Sequence, residues 1–176
     1  MIELILGGAR SGKSKLAEKK AADSKLSVTY IATATAGDGE MSERIQHHQN
    51  QRPDHWAVIE EPLQLANAIE SLSPEPQCIL IDCLTLWVSN WLMEENEKAY
   101  NKAKEDLLLA LQQTPHHIIM VSNETGMGII PMGNLSRQFV DESGWLHQAI
   151  AAQADNVVLT VAGLPMPLKL NGKNCF

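Results

Sequence analysis

The stretch LILGGARSGKS, residues 4–14, runs three apolar residues into Gly7, leaves four positions, and closes on Gly12-Lys13-Ser14. That is the complete G-x-x-x-x-G-K-[ST] spacing of a phosphate-binding loop. Glycines at Gly7, Gly8 and Gly12 let the backbone turn successive N–H groups inward, and a helix starting at Lys13 adds the positive end of its dipole. A loop built this way cradles β- and γ-phosphates. Lys13 reaches the terminal phosphates as a point charge, and the Ser14 hydroxyl stands where Mg²⁺ is ligated. The competing reading is a glycine-rich strand-to-helix turn without a ligand. The motif needs a strand before it and a helix after it, and the flanking sequence provides both.

Outward from the loop, short runs rich in β-branched residues alternate with segments of helical period, the pattern of βα units around a mostly parallel, buried sheet. The pattern predicts strands at Ile2–Leu6, Val28–Thr33, Ala57–Glu60, Cys78–Asp82, Ile118–Ser122 and Val157–Val161. A last strand at Met166–Leu170, after Pro165, is expected to return antiparallel at an edge. Helices are predicted at Lys13–Asp23, Glu40–Asn50, Leu63–Leu72, Leu84–Met93, Lys98–Gln113 and Leu135–Ala152. The segment SLSPEPQ, residues 71–77, reads as a turn between helix and strand, not a linker.

A chain of 176 residues fits one domain with a substantial core. Its formal net charge of -7 argues against a broad basic footprint for nucleic acid or for an anionic membrane. Phosphate must then be held by local geometry. Three cysteines, Cys78, Cys83 and Cys175, are an odd number, and the N-terminal residues lack the features of a secretory leader. The expectation is a cytoplasmic protein without disulfides, and the apolar runs are too short for stable membrane insertion.

A second phosphate-site element is an acid ending a neighbouring strand. QCILIDCLT, residues 77–85, places Asp82 at the end of an apolar strand, where an open α/β sheet meets its ligands. Asp82 reads either as a Walker B acid holding Mg²⁺ through water or as the N-cap of the helix that follows. Regulatory GTPases carry an Asn-Lys-x-Asp guanine reader, but VSNETGMG, residues 121–128, has Glu124 where the lysine belongs. Motor ATPases place a polar catalytic residue beside the Walker B acid, and Cys83 stands there instead. Phosphoryl or nucleotidyl transfer to a small molecule remains the leading class.

Three of the six histidines, His47, His48 and His55, fall within residues 43–56. Adjacent histidines on a helix diverge by about 100 degrees, so His47 and His48 do not readily share one metal ion. Counted from Met41, His48 falls on the apolar stripe with Ile45, and His47 points away from it. A neutral imidazole is a competent nucleophile at phosphorus. His47 is then either such a nucleophile or a solvent-facing side chain. The residues alone leave open a monofunctional phosphate-loop kinase and a non-catalytic GTP-binding module.

GGARSGKS, YIATA, RIQHHQNQRPDHW, SNETGMGIIP and VAGLPMPLK follow one another in the order and spacing of a known family. The chain resembles, over essentially its whole length, the bifunctional adenosylcobinamide kinase / adenosylcobinamide-phosphate guanylyltransferases of cobalamin assembly. The resemblance implies a RecA-like P-loop fold, a homotrimer, and two reactions. A nucleoside triphosphate, GTP or ATP, phosphorylates adenosylcobinamide. GTP then guanylylates an enzyme histidine, and GMP passes to adenosylcobinamide phosphate. By position that histidine is His47, with Lys13 on the phosphates. The GTP contacts fall on Gly7, Gly8, Ala9, Arg10, Ser11, Gly12, Lys13 and Ser14, on Ala32, Thr33 and Ala34, on His48, Gln49, Asn50 and Gln51, and on Glu60 and Asp82. The chain departs from the family pattern after Gly144, where Trp145 and His147 replace an Arg and an Asn.

Overall fold

The computed structural model describes residues 1–34 and 53–176. The expected helix Glu40–Asn50 lies outside the described residues, as do Arg44, His47, His48, Gln49, Asn50, Gln51 and Arg52. The described elements are β1 (Ile2–Gly7), α1 (Lys13–Asp23), β2 (Val28–Ala32), β3 (Ala57–Glu60), α2 (Leu65–Glu70), β4 (Cys78–Asp82), α3 (Leu84–Met93), α4 (Glu97–Gln113), β5 (His117–Asn123), α5 (Asn134–Gln153), β6 (Asn156–Val161), β7 (Leu164–Leu170) and β8 (Lys173–Asn174). Their alternation builds one sheet in the order β3-β2-β4-β5-β1-β6-β7-β8.

The strands from β3 through β6 pair in parallel, and β7 and β8 return antiparallel. Parallel pairing buries both faces, which is why β1 is buried at every position and why β4 reads as an unbroken apolar run. On one face α1 covers Ile5, Tyr30, Leu80 and Ile119. Its contact residues are Ala17 and Ala21, whose small side chains let the helix lie close to the sheet. The other face is thicker. There Leu4, Ile31, Ile79 and Ile118 meet Leu84, Trp87, Tyr100, Leu107 and Ile150 from the remaining helices. The indole N–H groups of Trp87 and Trp91 both donate to the Leu63 carbonyl, at 2.7 and 3.1 Å, so these aromatics are buried without orphan donors.

Two differences from the sequence reading have local causes. The helix expected over Leu63–Leu72 is shorter, Leu65–Glu70, because Glu61 Oε1 accepts the Leu63 and Gln64 amides and holds those residues in a turn. The antiparallel strand is not the outermost one. Asn171 and Gly172, with φ of 48° and 75°, form a tight turn that folds Lys173–Asn174 back as β8. β8 pairs only with Lys169 and Leu170, so Pro165 and Pro167 lie on a stretch of β7 that pairs with β6 alone.

One charge is buried in the sheet. Glu3 is 3 % exposed on the α1 side of β1, and its carboxylate meets Lys20 Nζ of α1 at 2.5 Å and His117 Nε2 at 2.8 Å. Burial alone would raise its pKa, but the hydrogen bonds and charges of His117 and Lys20 outweigh burial and lower it from 4.5 to about 2. A carboxylate with a depressed folded pKa stabilises the fold above its unfolded pKa and loses that contribution as pH falls toward the folded one. Glu3→Gln is therefore expected to cost roughly 3 kcal/mol at pH 7 in urea unfolding. The gap from wild type should close between pH 4.5 and about 2. An equal gap at both ends of that window would refute the assignment.

Candidate functional site

All parallel strands end at the same edge, and their registers align the residues there. Gly7 sits opposite Asn123 on one side and Thr160 on the other, while Ala32 sits opposite both Glu60 and Asp82. The phosphate loop leaves this edge from β1 and enters α1 at Gly12, whose φ of 97° is left-handed. Gly7 has no room for a side chain: a Cβ there would lie 2.5 Å from Ser11 Oγ, the Thr160 carbonyl and Thr160 Oγ1. Ser11 Oγ and Thr160 Oγ1 share a hydrogen bond of 3.1 Å, and the Thr160 hydroxyl donates to the Leu6 carbonyl at 2.8 Å. The turn between β6 and β7 closes over the loop, with the Gly163 amide donating to the Ser11 carbonyl at 2.9 Å.

Gly8, Ala9 and Arg10 are exposed, and Ser14 is half-buried in the first turn of α1. Lys13 is 8 % exposed, and its ammonium donates to the Gly8 carbonyl at 2.8 Å. Burial lowers its pKa while the nearby charge of Asp82 works against that. The lysine and the strand-end acid thus lie close enough to feel one another. Ser14 and Asp82 present a hydroxyl and a carboxylate, hard oxygen donors of the kind Mg²⁺ takes.

The turn after Asp82 is fixed by Thr33. Its amide donates to the Asp82 carbonyl at 3.3 Å, and its hydroxyl donates to the Cys83 carbonyl and accepts the Cys83 amide at 2.7 and 2.8 Å. Thr33 is fully buried, so its hydroxyl is spent on the turn. Ala32 and Ala34 flank it, half-buried. Burial and the Asp82 charge push the Cys83 thiol up to about 11, which keeps it protonated. Glu60 ends the edge strand β3 and is exposed. His55 is exposed beside buried Trp56. The structure brings the loop, Lys13, Ser14, Thr33 and Asp82 to one place. His47 and its neighbours through Gln51 are beyond the described residues.

A second group of residues at this edge was not singled out as site residues by the sequence reading. Thr85 of α3 accepts the Asn123 amide at 2.7 Å and meets Ser122 Oγ at 3.4 Å. Ser122 Oγ meets Nε2 of His147 on α5 at 2.7 Å, and His147 Nδ1 lies 3.8 Å from Glu124 Oε2. Burial lowers the pKa of His147, with Glu124 acting in the opposite direction. Glu124 follows β5, and its amide donates to the Gly7 carbonyl at 3.1 Å. Of the two departures after Gly144, Trp145 is thus a surface residue, 57 % exposed, and His147 is an interior partner of β5. SNETGMG was visible as a motif, but only the fold shows that it borders the loop.

Comparison with known proteins places the same residues in a family. Residues 3–168 match the family model described as cobinamide kinase / cobinamide phosphate guanyltransferase. The chain is 57 % identical over 169 residues to the bifunctional adenosylcobalamin biosynthesis protein CobP of Pseudomonas aeruginosa, covering 96 % of this chain and 98 % of that protein. It is 37 % identical over 182 residues to the bifunctional adenosylcobalamin biosynthesis protein CobU of Escherichia coli, covering 96 % and 100 %. Among solved structures, the RadB recombinase aligns at a TM-score of 0.50 and 12 % identity over 90 % of this chain and 73 % of that one. A type III secretion system ATPase aligns at 0.51 and 12 % over 90 % and 51 %. These two likenesses establish a RecA-like P-loop fold and nothing about activity.

The crowding at Gly7 yields a paired test. Gly7→Ala should lower stability by about 1–3 kcal/mol and weaken nucleotide binding, because the loop must shift to admit the methyl group. Gly8→Ala meets nothing within 4 Å among the described residues and should stay within about 0.5 kcal/mol of wild type. Thermal melts of the two variants, with a fluorescent nucleotide titration of each, check the contrast.

Proposed function

The chain belongs to the cobinamide kinase / cobinamide phosphate guanyltransferase family, and from that premise we propose how one phosphate loop and one histidine divide its two reactions. The enzyme is bifunctional: it phosphorylates adenosylcobinamide with a nucleoside triphosphate, then joins GMP from GTP to adenosylcobinamide phosphate, releasing pyrophosphate. A single P-loop domain carries both steps.

In the kinase step the backbone amides of Gly8 to Ser14 and the Lys13 ammonium stabilise charge on the transferring γ-phosphoryl group. The observation that carries this reading is the position of Lys13, buried at the start of α1 with its ammonium on the Gly8 carbonyl of the loop. Ser14 and Asp82 would hold Mg²⁺, which when bound withdraws charge from the phosphate oxygens. Lys13 leaves the Gly8 carbonyl for the phosphates when nucleotide enters.

In the guanylyl step an imidazole nitrogen of His47 attacks the α-phosphorus of GTP. A nitrogen–phosphorus bond forms as the bond to the β-phosphate oxygen breaks, and pyrophosphate leaves. Arg44 and Arg52 flank the histidines and neutralise the leaving group. An oxygen of adenosylcobinamide phosphate then displaces His47, giving adenosylcobinamide-GDP. Ala32, Thr33, Ala34, His48, Gln49, Asn50, Gln51 and Glu60 contact GTP. The Thr33 hydroxyl and amide are engaged with Cys83 and Asp82, so Thr33 also fixes the turn beside the nucleotide.

The enzyme is a cytoplasmic homotrimer. Free cysteines at Cys78, Cys83 and Cys175 support a reducing compartment. No described helix is long and apolar enough to cross a membrane. The exposed apolar side chains Leu164, Met166 and Leu170 of β7 support contact with another copy. Light scattering on the purified protein should give three times the chain mass of 19.4 kDa.

The decisive experiment is incubation with Mg²⁺ and α-³²P GTP followed by denaturation. Wild type should carry an acid-labile, base-stable label that disappears in His47→Ala and persists in His48→Ala. Label retained in His47→Ala would sink the histidine assignment.

A further inference from the structure

Phosphorylating a hydroxyl requires that its proton leave. Lys13 is a cation, Asp82 is the carboxylate proposed to hold Mg²⁺, and Cys83, the residue beside Asp82, packs against the core under α1. Glu61 spends Oε1 on the Leu63 and Gln64 amides, and Glu60 stands on β3, four strands from β1. Glu124 is placed differently. It leaves β5, the strand beside β1, and its amide is bonded to the carbonyl of Gly7, the first residue of the phosphate loop.

Its side chain is oriented by one hydrogen bond and has a histidine beside it. Oε1 accepts the Gly126 amide at 2.7 Å, and Oε2 lies 3.8 Å from His147 Nδ1. His147 is in turn held by Ser122 at 2.7 Å. Beyond Glu124 an apolar groove of about 400 Å³ opens between α3 and α5, lined by Leu92, Met93, Thr125, Leu135 and Phe139 among others. Carboxylate and groove are neighbours: a Cβ on Gly126 would lie 3.1 Å from Glu124 Oε1 and 3.9 Å from Val140, a groove residue. Glu124 therefore stands between the phosphate loop and an apolar groove.

We propose that Glu124 is a catalytic residue of the kinase step, accepting the proton of the cobinamide hydroxyl as it attacks the γ-phosphate. The hydroxyl O–H bond breaks and its proton passes to the Glu124 carboxylate. The oxygen forms a bond to the γ-phosphorus while the bond from γ-phosphorus to the β,γ-bridging oxygen breaks, and the nucleoside diphosphate leaves. Release of the proton to solvent returns the carboxylate. Ser122 and His147 are positioning residues, fixing the direction of the carboxylate from β5 and α5. The inference rests on the bifunctional reading, and it separates the two reactions, because guanylylation of a neutral imidazole has no hydroxyl proton to remove.

Glu124→Gln tests it, because an amide oxygen still accepts the Gly126 amide while the base is lost. With adenosylcobinamide and γ-³²P GTP, the variant's kinase kcat should fall about 100- to 10,000-fold with KM for GTP within about threefold. Protein labelling by α-³²P GTP should stay within about threefold of wild type. A kinase kcat unchanged in the variant overturns the proposal. So does a parallel loss of both activities, which would make Glu124 a strut of the loop. Wild type that takes up α-label but does not phosphorylate adenosylcobinamide would overturn the kinase reading itself, a result distinct from either.

Discussion

The phosphate loop keeps its shape because the strands on both sides of β1 hold it. From β5 the Glu124 amide bonds to the Gly7 carbonyl, and from the β6–β7 turn the Gly163 amide bonds to the Ser11 carbonyl. Thr160 fills the space under Gly7. A glycine-rich loop would otherwise lose much conformational entropy on binding a nucleotide, and these contacts remove that freedom in the folded chain beforehand. The sheet order makes this possible, since β1 lies inside the sheet with β5 on one side and β6 on the other.

The same constraint explains how an acidic chain binds a polyanion. With 21 Asp and Glu against 14 Lys and Arg, the long-range field opposes phosphate. Attraction comes instead from amide dipoles, the N-terminus of α1 and one buried lysine, all acting over short range where solvent screens little. Binding built this way is selective for groups that fit the loop and weakly sensitive to salt.

Much of this architecture was legible in the sequence. The β3, β4, α1 and α3 boundaries follow directly from apolar period and from the loop motif. Asp82 and Lys13 were legible because each is tied to a local pattern, a strand end or a helix start. Thr160, Gly163 and His147 were not, because their site partners lie from 25 to 152 residues away in the chain. The turn Asn171-Gly172 carried a local hairpin signal, and β8 was missed because two residues of strand are too few to show a period. His47 was separated from His48 by helical phase and given its role by resemblance, two arguments that do not depend on each other.

A loop clamped from both sides also restricts how one site performs two reactions. Transfer of the γ-phosphoryl group and attack at the α-phosphorus take place at atoms two phosphate units apart on the nucleotide. Moving the loop to present each in turn would break the Gly7 and Ser11 contacts and force Thr160 away from β1. Moving the attacking groups disturbs none of these. The economical division is therefore a fixed loop with two approaches to it, one for the cobinamide hydroxyl beside Glu124 and another for the histidine. In the proposed mechanism the two reactions differ in which nucleophile is brought to the nucleotide, while Lys13 and the loop amides hold the phosphates in the same way for both.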